Sequence, residues 1–231
     1  MNRTLNVIRM QLVNRQTFVW LPIIILLGSF AMSLLIYGIL ASAGIDEAKY
    51  GAGAQAPLWY FLFVGIYALT LSFPFSQAMS VTRREFWAGT LLAAVLTAVL
   101  LGLVFVIGGL IEQATRGWGL NGYFFYAPWI WEHGAAAAGL FFGSLTLLVF
   151  VIGFGCATVY KRFGPLGLTI VLAGLGLLLV AALFVVARTE SWIEMFSWFA
   201  GLTAPGAALW AIVGSAVIAA ASYALLRRAV P

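Results

Sequence analysis

Residues 88–111 read AGTLLAAVLTAVLLGLVFVIGGLI, a stretch with no charged side chain. An α-helix rises about 1.5 Å per residue, so this stretch covers about 36 Å and exceeds the roughly 30 Å hydrocarbon core of a bilayer. Five more stretches of this kind flank it, at 18–41, 57–78, 135–159, 165–187 and 204–226. The pattern predicts an all-α integral membrane protein with six transmembrane helices. No linker or charge run divides the chain, so residues 1–231 are expected to form a single transmembrane domain, and no internal repeat stands out.

Composition agrees with the pattern. Hydrophobic residues make up 64% of the 231 residues and charged ones 8%, against about 25% charged in an average soluble domain. The pI near 9.7 would point to nucleic acid in a soluble protein. Here the bases flank apolar stretches, so they report topology and no nucleic-acid partner is expected. The single cysteine, Cys156, lies in an apolar setting that favours an inert thiol. The first stretch exceeds the 7–15 residues of a signal-peptide core and is read as a retained span.

Counting charge on alternate connections gives the orientation. Arg3, Arg9, Arg15, Arg83, Arg84, Lys161, Arg162, Arg227 and Arg228 fall on one side with a single acid, Glu85. Lys49, Arg116 and Arg188 fall on the other with Asp46, Glu47, Glu112, Glu132, Glu190 and Glu194. Excess Lys and Arg marks the cytoplasmic side, which predicts both termini inside, in a cell (cytoplasmic) membrane. Residues 2–16 read as a moderately amphipathic interfacial helix.

Prolines punctuate the spans. Pro57, Pro165 and Pro205 stand at span starts, where the missing N–H costs nothing, and Pro74 is expected to kink the second span. Small residues at four-residue spacing (Ala135, Gly139, Gly143; Ala207, Ala211, Ser215, Ala219) suit close helix packing, within the chain or in a dimer. Asp46–Gln55 reads as a flexible outer loop, and the aromatics between Glu112 and His133 are expected at headgroup level. In the last outer connection Trp192, Ile193, Phe196 and Phe199 share one helical face, predicting a short helix at the outer interface.

The spans carry no Asp, Glu, Lys, Arg or His near their centres, which argues against a carrier coupled by a titrating side chain. Hydroxyls at Ser29, Ser33, Thr70, Ser72, Thr97, Ser144, Thr146, Thr169 and Ser215 are expected to bond back to their own helices. One histidine, His133, cannot supply a metal-hydrolase ligand set, no G-x-S-x-G surrounds Ser144, and no G-x-x-x-x-G-K-[ST] occurs. The chain is therefore read as no enzyme, with no cofactor or metal of its own.

One inner connection carries more than topology: Met79-Ser80-Val81-Thr82-Arg83-Arg84-Glu85-Phe86. Thr82, followed three residues later by Glu85, reads as a capping box opening the third span. The segment resembles the M-G-x-T-R-R-x-F signature after the second span of ABC-2 type transporter permeases, with Ser80 where a glycine is common. The six-span layout, inner termini and basic tail are similar too. The resemblance implies a permease subunit that works with a separate ABC ATPase, which binds ATP and Mg, and with a second permease copy or a homologous permease. It implies that the tail before span one and the turn Met79–Phe86 contact the ATPase, with Arg83 and Arg84 making the polar contacts. Thr82 and Glu85 would hold the turn and Phe86 would seat it. It further implies that spans one, two and five line the inner surface, that short re-entrant or interfacial helices lie between spans five and six, and that the protein exports an amphipathic, lipid-like, drug or peptide substrate. A non-transporting membrane-embedded binding or sensory module, assembled with another membrane protein, is the alternative.

Overall fold

A computed structural model describes residue 17 and residues 20–227. The expected tail helix at 2–16 and Arg228 lie outside the described residues. The chain is nearly all helix: α1 (Leu21–Ser42), α2 (Ala56–Thr70), α3 (Ser72–Ala78), α4 (Arg83–Ala114), α5 (Pro128–Trp131), α6 (Ala135–Arg188), α7 (Trp192–Ala200) and α8 (Ala204–Leu226). Five helical segments are long and apolar enough to cross a membrane: Leu21–Ser42, Gly53–Ala78, Arg83–Ala114, Ala135–Arg188 and Ala204–Leu226. Their outward faces are covered with exposed Leu, Ile, Val and Phe. In water that surface would drive aggregation; in a bilayer it is solvated, which makes this a membrane-embedded fold.

The two stretches expected at 135–159 and 165–187 join without a loop. The helical run of 54 residues leaves helical geometry at one residue, Gly164 (φ 72°, ψ −174°). That conformation is open to glycine almost alone. Pro165 follows it, preorganised to start the next helical arm. The chain reverses here. A straight helix of this length would put Arg188 about 80 Å from Ala135. Yet Leu202 accepts a hydrogen bond from Trp129 Nε1 at 3.1 Å, beside the Ala135 end. The thirteen residues between Arg188 and Leu202, nine of them helical, reach at most about 35 Å.

The arm before Gly164 is the core helix, and α2, α4 and α8 pack around it. Gly65 of α2 lies against the Phe150 backbone, and Gly153 of α6 against the Leu62 backbone, so neither position has room for a Cβ. The small-residue stripes serve contacts within the chain: Gly139 and Gly143 meet Gly102 and Ala98 of α4, and Ala211, Ser215 and Ala219 are buried on α8. Phe61, Phe73, Phe86, Phe105, Phe150 and Phe154 fill the interior. The arm after Gly164 is different, since no residue from 165 to 187 is buried.

The second span breaks where Pro74 requires. Its ring nitrogen cannot donate to the Thr70 carbonyl, and α2 ends at Thr70 before α3 resumes at Ser72. The hydroxyls of Ser29, Ser33, Thr70, Thr97, Ser144, Thr146, Thr169 and Ser215 each bond back to a carbonyl three or four residues earlier.

One expectation at the far end needs correction. Residues 46–55 do not form a flexible loop: β1 (Lys49–Tyr50) pairs in parallel with β2 (Gly122–Tyr123), and a 3₁₀ turn follows at Ala52–Gln55. Among the aromatics after Glu112, Phe124, Phe125 and Trp131 are buried within the protein. Phe124 and Phe125 close a ring cluster around Phe30 with Trp118. Glu112 holds this segment in place. It is fully buried in the last turn of α4 and accepts from Trp118 Nε1 and from the backbone N–H groups of Phe124, Phe125 and Tyr126, at 2.7–2.8 Å.

Candidate functional site

The turn between α3 and α4 stands at the end of the molecule that also holds Gly164 and the C-terminus of α8. Local chemistry fixes its shape. Thr82 Oγ1 accepts from the Glu85 backbone N–H at 3.3 Å, while Glu85 Oε2 accepts from the Thr82 N–H at 3.0 Å and hydroxyl at 2.7 Å, a complete capping box. On the other side Val81 N–H donates to the Ser76 carbonyl at 3.1 Å, and Gln77 Nε2 to the Val81 carbonyl at 3.0 Å. Between them Ser80 adopts φ 57°, in the left-handed region that glycine enters without strain.

Phe86 is fully buried, its ring edge-on to Phe73 at 5.2 Å. Trp87 Nε1 donates to the Ala219 carbonyl at 3.2 Å, and its ring lies 4.9 Å from Tyr223. Both residues tie the start of α4 to the bundle.

The two arginines separate. Arg83 reaches across to the end of α8 and donates to the Arg227 carbonyl at 2.9 Å and the Leu226 carbonyl at 3.4 Å. A cation on the final carbonyls of a helix satisfies orphan acceptors and complements the helix dipole. Arg83 is therefore engaged within the chain, which the Arg-Arg spacing gave no sign of. Arg84, with Met79, Ser80 and Thr82, is exposed. Lys161, Arg162 and Arg227 add to the positive charge at this end, where Glu85 is the one acid among the described residues.

At the opposite end the expected short helix is α7. Ile193 is 82% exposed, and Trp192, Phe196 and Phe199 are exposed as well. Trp192 and Phe196 stack at 6.2 Å. Trp198, outside the expected set, packs edge-on against Trp210 of α8 at 6.2 Å and anchors the helix. Lys49, Asp46, Glu47, Glu112, Arg116, Glu132, Arg188, Glu190 and Glu194 all belong to this end, so the charge asymmetry along the sequence becomes an asymmetry between the two ends of the bundle.

The chain matches no family model, no curated protein and no solved structure.

Proposed function

We propose that this chain is the membrane-spanning permease subunit of an ATP-driven ABC-2 type exporter, crossing the membrane six times with both termini in the cytoplasm. The two arms of α6, folded back at Gly164, then count as the fourth and fifth spans. The observation that carries the reading is the turn Met79–Arg84: a rigid, capped, exposed basic knuckle joined through Phe86, Trp87 and Arg83 to two spanning helices. A soluble ATPase gripping such a knuckle moves α4 and α8 together, because Arg83 links the start of one to the end of the other. ATP and Mg belong to that partner, and the energy arrives from outside the chain.

The unburied arm at 165–187 supports a second permease copy beside it, with the transport path between the copies. Charge-free spans and an apolar surface suit an amphipathic, lipid-like, drug or peptide substrate. Co-expression with an ABC ATPase subunit tests the reading. Arg84→Glu should abolish co-purification and the permease's stimulation of ATP hydrolysis while the chain still folds. Unchanged assembly and unchanged coupled hydrolysis would remove the knuckle from the interface.

A further inference from the structure

A cavity of about 520 Å³ opens between α1 and β1 at the end opposite the knuckle. That is within the range of small-molecule sites. Met32, Ile36 and Leu40 line it from α1, repeating every fourth residue as one apolar stripe about 12 Å long. Tyr37, Lys49 and Tyr50 line its other part. Tyr37 donates to the Tyr123 carbonyl at 3.0 Å, so its hydroxyl is engaged.

Lys49 is the unusual member. It is only 8% exposed, yet among the described residues its ammonium, a triple donor, has one hydrogen-bond acceptor, the Leu120 carbonyl at 3.1 Å. Asp46 and Glu47 are exposed in the loop, Glu112 accepts from four other N–H donors, and none of the three accepts a hydrogen bond from Lys49. A buried ammonium short of acceptors is costly, and an anion in the adjoining cavity removes that cost. Tyr50 also lines the cavity, and its phenol hydroxyl is a second donor for such an anion.

We infer that this cavity binds an anionic amphiphile, its acidic headgroup at Lys49 and Tyr50 and its hydrocarbon chain along Met32, Ile36 and Leu40. The site goes beyond the transport reading and stands whether or not an ATPase grips the other end.

The test uses the full chain in neutral detergent, followed by thermal unfolding. Phosphatidylglycerol, phosphatidylcholine with the same chains, and inorganic phosphate are titrated in turn. A ligand that binds only the folded chain raises the unfolding temperature with concentration. Phosphatidylglycerol alone should do so. Lys49→Met should weaken its apparent affinity about tenfold or more, which is about 1.4 kcal/mol, and Lys49→Arg should restore it. Met32→Trp fills the exposed stripe and leaves the Lys49–Leu120 bond intact. It should abolish the shift without changing the unfolding temperature of the lipid-free chain, and it decides the matter if Lys49→Met does not fold. Equal shifts from both lipids, the same shift from inorganic phosphate, or a shift that survives Met32→Trp would each overturn the assignment.

Discussion

Glu112 explains why the far end of the molecule is ordered rather than loose. Its carboxylate gathers three consecutive backbone N–H groups and an indole N–H from the segment that follows α4, and so turns Phe124 and Phe125 inward. Glu112→Gln replaces one accepting oxygen with a donor facing other donors. It should cost about 3 kcal/mol, read as a lowered unfolding temperature in detergent. The sequence offered Glu112 only as one acid among six on its side, because its partners are backbone groups that leave no trace in residue type. Ser80 behaves in the opposite way. Its φ of 57° lies in the left-handed region, and Ser80→Val, β-branched there, should destabilise the turn by about 1–2 kcal/mol. Ser80→Gly should leave stability within about 1 kcal/mol of the parent. The capping box at Thr82 and Glu85 was legible because it depends on two residue types at fixed spacing. The role of Arg83 was not, since its acceptors lie 143 and 144 residues away in the chain.

At the scale of helices, the apolar stretches located the elements, and prolines marked their starts at Pro57, Pro165 and Pro205. The reversal between 135–159 and 165–187 was legible from Lys161, Arg162 and Pro165, but not its confinement to one residue, since Gly164 breaks the helix without leaving a loop. Gly164→Ala places a Cβ where φ is 72° and ψ −174°, and should cost about 1–3 kcal/mol or more. Its signature should be loss of the folded hairpin, measured by the separation of spin labels at 140 and 184. Gly153→Val sets a side chain against the Leu62 backbone. It should separate α2 from α6 at a cost of about 3 kcal/mol, visible as reduced folded yield. The parallel pairing of β1 with β2 could not be read from a two-residue strand, whose periodicity is too short to register.

At the scale of the molecule, the two ends differ in charge and in construction. One presents a small capped knuckle among cations. The other presents acids, an aromatic cluster and the exposed helix α7. Under the proposed exporter reading, a soluble partner would act on the first end and lipid or cargo would meet the second. On that reading Ile193→Asp on α7, a site with no buried contact, should leave folding unchanged and reduce transport without altering assembly with an ATPase.

Site-specific photocrosslinking at the knuckle tests its proposed contact with an ATPase most directly. A photoreactive residue at position 84 should capture a subunit that mass spectrometry identifies by its P-loop sequence. The purified pair should hydrolyse ATP faster than that subunit alone, while the same probe at position 121, at the far end, should not capture it. Capture of the ATPase from position 121 and not from 84, or no effect of this chain on its hydrolysis, would contradict the account.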